Sequence, residues 1–149
     1  MSEFDPMTLQ EADKWNQSFV PPPGLQGFIA ERVSLAQTTA VVALVAPDLM
    51  LVRDCVVLRL RHSDEFFDEW WHKLNGDRQA IEKAVNHVHL WDFFDADSEK
   101  EEMALRYLVD QLAIGWRAKA ERLFPARKFF VETGDDYGPT ISLYSATPT

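Results

Sequence analysis

At 149 residues, with 46% hydrophobic and 26% charged positions, the chain can bury a substantial core and is too apolar to belong with disordered proteins. A net charge of −9 and a pI near 4.8 argue against nucleic-acid binding, which needs a basic patch, and against attraction to an anionic membrane. The lone cysteine, Cys55, rules out an intrachain disulfide and a four-cysteine zinc site.

The same features favour a reducing compartment, and the N-terminus shows no basic segment followed by an apolar run. The expectation is a cytoplasmic protein forming one α+β domain over residues 1–149. Within residues 2–6, Ser2-Glu3-Phe4 reads as a cloning remnant ahead of Met7. The longest apolar run, Ala40 to Pro47, is far too short to span a bilayer.

Residues 8–18 read as a short helix. Thr8 and Glu11 have the spacing of a capping box, and Leu9, Ala12, Trp15 and Phe19 form a partial apolar stripe. Pro21-Pro22-Pro23-Gly24 stops that helix and makes a stiff connector, so residues 1–24 are a helix plus linker. Residues 28–61 read as β-structure. The Val- and Thr-rich stretch Thr38 to Ala46 and the stretch Leu49 to Arg61 suggest antiparallel strands turned at Pro47-Asp48. A weaker strand is expected at Phe28 to Ser34. In the later strand, Val56, Leu58 and Leu60 alternate with Val57, Arg59 and Arg61, which predicts one core face and one wetter face.

Three helices are expected next. Ser63 caps the first and Asn75-Gly76 closes it, with Phe66, Phe67, Trp70, Trp71 and Leu74 on its apolar stripe. Asp77 caps the second, whose inward positions are Ile81, Ala84, Val85, Val88 and Trp91. Ser98 and Glu101 start the third, which runs to about Phe124 on Leu105, Leu108, Leu112, Trp116 and Leu123. Gly115 inside it suggests a close packing contact. Arg127 to Thr133 and Thr140 to Tyr144 then form a hairpin around Gly134 to Gly138. The predicted architecture is a mostly antiparallel sheet of four to five strands with the three helices on one face, in the order β-β-(β)-α-α-α-β-β.

The sharpest metal pattern is Glu65, Asp68, Glu69 and His72, spaced i, i+3, i+4 and i+7 on one helical face. Such a centre needs a second Glu-x-x-His with two more glutamates on neighbouring helices, and no second copy of the motif exists, so a solvated face is the plainer reading. His87-Val88-His89 would present both imidazoles to a metal on a strand but would separate them on a helix, and the surrounding period is helical. Cys55 sits in an apolar stretch and reads as a buried, inert thiol. There is no Gly-x-Ser-x-Gly elbow, and Gly24-Leu25-Gln26-Gly27 lacks a phosphate-loop pattern and a following helix.

What remains is acidic clustering beside aromatics. Asp92, Asp95, Asp97, Glu99, Glu101 and Glu102 surround the junction of the second and third helices. Asp135, Asp136 and Tyr137 sit at a hairpin tip. Several of these complement helix dipoles. Together they also suit a docking surface for a basic protein. The leading expectation is therefore a non-enzymatic acidic binding protein without a cofactor, of the toxin-neutralising (immunity) or regulatory kind. The alternatives are a metal enzyme built on Glu69 and His72, and a structural homodimer that buries Trp15, Trp70 or Trp91.

Overall fold

The computed structural model describes residues 4–146. In chain order its elements are α1 (Gln10–Gln17), α2 (Gly24–Arg32), α3 (Leu35–Val45), β1 (Leu49–Val52), β2 (Cys55–Leu58), α4 (Asp64–Lys73), α5 (Arg78–Val85), β3 (His87–His89), α6 (Glu99–Leu123), β4 (Phe129–Asp135) and β5 (Pro139–Ser145). The protein is α+β, as the sequence predicts, and all strand pairs are antiparallel. The strands form two sheets, a β1-β2 hairpin and a three-stranded sheet in the order β3-β5-β4.

The region 28–61 departs from expectation. Residues 28–34 and 38–46 are not strands; they fall largely within α2 and α3. The deciding local signal is at Ser34, whose hydroxyl accepts from the Gln37 amide while the Gln37 side chain accepts from the Ser34 amide. That reciprocal cap starts a helix despite the β-branched residues behind it. Gly24-Leu25-Gln26-Gly27 likewise opens a helix rather than a loop. The β1-β2 turn is at Arg53-Asp54, both at positive φ, and not at Pro47-Asp48. Leu58 ends the strand, so Leu60 lies in a 3-10 turn and is exposed.

β2 is buried on both sides because its alternating side chains enter two different cores. Val56 and Leu58 join Leu44, Leu105, Leu112, Trp116, Ile141 and Leu143 between α6 and the three-stranded sheet. Cys55 and Val57 join Phe67, Ile81 and Val85 between α4 and α5. α6 keeps its predicted stripe through Leu105, Leu112 and Trp116, with Val109 and Ala120 also buried, but Leu123 is exposed. The Gly115 expectation holds: a Cβ there would lie 2.2 Å from the Val45 carbonyl oxygen. Trp116 reinforces the crossing by donating to the Leu44 carbonyl at 2.8 Å.

α5 joins the two sheets. Glu82 and Asn86, one helical turn apart, are both fully buried, although their spacing with His89 places them on a polar face. Glu82 accepts from the Val56 amide at 2.6 Å, the Ser145 amide at 2.9 Å and the Ser145 hydroxyl at 2.6 Å. Asn86 accepts from the Leu58 amide and donates to the Val56 and Leu143 carbonyls. These two side chains replace a missing strand: they satisfy the facing edges of β2 and β5, which a backbone ladder would otherwise do.

The helix carrying them ends at Val85. Residues 87–89 pair with β5 instead, matching His87 with Ser142 and His89 with Thr140. The second helix therefore does not extend to Trp91. Val88 is buried as a strand residue, and Trp91, expected inward, is 53% exposed.

Candidate functional site

Of the acidic residues, Glu102 and Asp135 are brought together where β3, the N-terminus of α6 and the β4-β5 hairpin meet. After β3, a 3-10 turn at Leu90–Asp92 buries Leu90 and turns Trp91 outward. Trp91 then lies across the hairpin loop at Gly138, where φ is +85° and a Cβ would come within 2.4 Å of the indole. Glycine is required there for both reasons. Trp91, Glu102, Leu105, Arg106, Asp135, Gly138 and Pro139 line a cleft of about 160 Å³.

Glu102 and Asp135 thus converge from separate parts of the chain. Arg106, one helical turn after Glu102, approaches Asp135 at 3.7 Å across the cleft wall. That pair is largely solvated and worth little to stability. Tyr137, 82% exposed, and Asp136 stand at the hairpin tip above it. Sequence reasoning missed Arg106 and the outward Trp91, while Gly138 takes the positive φ that a hairpin-loop glycine suits. The Glu102–Arg106 spacing was readable, whereas the turn at Leu90 that rotates Trp91 was not.

Asp97, Glu99 and Glu101 belong to a second, larger depression of about 640 Å³, shared with Asp13 and Thr8. Ser98 caps α6 through the Glu101 amide, and the Glu101 carboxylate accepts from the Asp97 amide at 2.9 Å. Glu101 is therefore engaged in starting the helix. Asp92 faces Arg61 at 3.9 Å. Asp95 is exposed and lines neither depression.

The metal pattern on α4 is not assembled. Glu65, Glu69 and His72 are exposed, and Asp68 pairs with Arg53 at 3.3 Å. Among the described residues, no three His, Cys, Asp or Glu side chains are gathered as a metal would require. His87 and His89 do share one face, because they lie on a strand, and their rings are 4.8 Å apart. Burial, then the neighbouring His89 and Arg61 charges, hold His87 below the usual imidazole range, with Asp136 opposing. Cys55 is fully buried, and burial, reinforced by the Glu82 charge, pushes its thiol up to about 11. A thiol so protonated is a poor nucleophile at neutral pH.

At the opposite end, Asp54 receives Arg78 at 3.1 Å and both Nη atoms of Arg127, one on its carbonyl and one on its carboxylate. The Arg127 charge, then the Arg78 hydrogen bond, hold Asp54 below its ordinary 3.8. Glu132 is held below 4.5 by the Tyr144 hydroxyl and then by Lys83. A carboxylate with a depressed folded value stabilises the fold above its unfolded value and loses that contribution as pH falls. Stability to urea is expected to start falling below about pH 6.5, where unfolded His87 takes up a proton that its folded site resists, and to decline more steeply below about pH 4.5 as these carboxylates protonate. Asp54→Asn should make the decline shallower; an unchanged slope would show that the arginine contacts contribute nothing.

Among the described residues, no single helix is long and apolar enough to cross a membrane. No protein family, no curated protein and no solved structure matches this chain.

Proposed function

We propose that the protein is a non-enzymatic binding protein that engages a basic protein partner through the acidic and aromatic face around Trp91. Neutralisation of a basic toxin or regulation of a basic enzyme is the concrete form of this role. The observation that carries the reading is the half-exposed Trp91, fixed over Gly138 beside Glu102 and Asp135.

An exposed indole packed over a hairpin loop is the kind of anchor that dominates protein interfaces. It also offers a face to an arginine or lysine of the partner. Glu102, Asp135, Asp136 and Asp92 supply opposite charge around it. Arg106 and Arg61 offset part of that charge, and a partner arginine would compete with Arg106 for Asp135. Charge of this kind speeds encounter and selects partners more than it adds affinity.

The test is to capture basic proteins on the immobilised chain and titrate each purified partner with wild type and Trp91→Ala. Trp91→Ala is expected to weaken binding by about 2 kcal/mol, roughly thirtyfold. Affinity should also fall as salt rises from about 50 to 300 mM. Binding indifferent to both changes would sink the proposal.

A further inference from the structure

From Asp13 to Ala43 the chain forms most of α1 and all of α2, then most of α3, and yet buries no residue. α2 has nine residues and α3 eleven. Helices this short are marginal in water unless a packed face holds them. α3 meets the rest of the fold at its C-terminal end, where Leu44 is buried and Gly115 and Trp116 receive the chain. Its outward surface carries Leu35 at 80% exposure and Val42 at 55%. α2 adds Leu25 and Ile29, each nearly half exposed. A helix that is apolar around its circumference belongs under cover.

Area and charge give the same indication. The chain exposes 9778 Å², whereas a folded monomer of 17.1 kDa should expose about 7,750 Å². Two copies that each removed the excess of about 2,000 Å² would bury an area typical of obligate homodimers. From Ser18 to Pro47 the only charged residues are Glu31 and Arg32, so the whole net charge of −9 lies outside this segment. Like-charged copies could meet here with Asp48 as the one acid lining the adjoining groove, already paired with Arg59 at 3.5 Å, whereas a basic partner would find no carboxylates on α3.

Beside α3 runs an apolar groove of about 500 Å³, with Ala40, Val41 and Leu44 on one wall and Leu60, Phe93 and Phe94 on the other. We propose that a second copy of this chain covers this face, with the two α3 helices packed across a two-fold axis and each occupying the groove beside the other. α3 is both a wall of the groove and an uncharged apolar helix of the kind the groove accepts. A two-fold contact has that self-complementary character. The surface is separate from the Trp91 cleft, so this inference does not rest on the proposed function.

The test is sedimentation equilibrium of the full chain at about 10 μM, with hydrogen exchange on a dilution series. Wild type is expected at twice 17.1 kDa, and Val42→Glu at 17.1 kDa. Trp91→Ala should remain dimeric. In wild type, the α3 amides should lose protection on dilution through the dissociation range, a readout that does not depend on how any variant folds. A wild-type mass of 17.1 kDa with α3 protection independent of concentration would overturn the proposal. So would a dimer that Val42→Glu leaves intact, or a monomer that binds neutral phosphatidylcholine vesicles through α2 and α3.

Discussion

Glu82→Ala is expected to lower folding stability by about 3–5 kcal/mol, the range seen when one partner of a buried charged network is removed. The carboxylate is fully buried and serves three donors, the Val56 amide and the Ser145 amide and hydroxyl. Alanine leaves all three without an acceptor in a site closed to water, and Arg127, 3.8 Å from the carboxylate, loses a counter-charge. Since a domain has only about 5–15 kcal/mol in total, the variant should be close to unfolding. Glu82→Gln keeps the volume and one oxygen but turns an amide donor towards backbone donors, so it should fall between alanine and wild type. Urea denaturation at pH 7 reads both. A loss under about 1 kcal/mol for Glu82→Ala would mean that the two sheet edges are satisfied some other way.

Trp116→Ala is expected to cost about 3–5 kcal/mol, as large aromatic truncations in a core do. Trp116 is the largest of the fully buried side chains and lies where α6, α3 and the sheet converge. Truncation opens a cavity and orphans the Leu44 carbonyl, which accepts from the indole at 2.8 Å. Trp116→Phe separates the two effects, because it retains much of the volume and loses the donor. It should cost about 1–3 kcal/mol, the penalty for one unsatisfied buried group. Hydrogen exchange should show the loosening first in α3, whose hold on the fold is this tryptophan and the close approach at Gly115. Equal stability of the phenylalanine variant and wild type would show that the indole hydrogen bond is not needed.

Elements whose signals are local are legible in the chain alone. α4 is legible from Ser63, the Phe66-to-Leu74 stripe and Asn75-Gly76, and α6 from Ser98 and its long apolar repeat. The β4-β5 hairpin follows from two β-rich runs around a glycine-bearing turn. Composition and patterning were enough for the α+β class and for the burial of Cys55.

Tertiary structure decided what depended on neighbours far along the chain. Thr38 to Ala46 has strand-like composition, but the Ser34 cap with the Gly115 contact settles it as a helix. His87 to His89 continues a helical period, yet an open edge of β5 takes it as a strand, because backbone groups there must find partners. Glu82 and Asn86 read as solvated polar residues, and their role appears only when β2 and β5 present unpaired edges on either side of α5. The acidic cluster was visible as composition, but which carboxylates meet was not. Glu102 and Asp135 lie more than thirty residues apart, and it is the packing of the hairpin against α6 that brings them to Trp91.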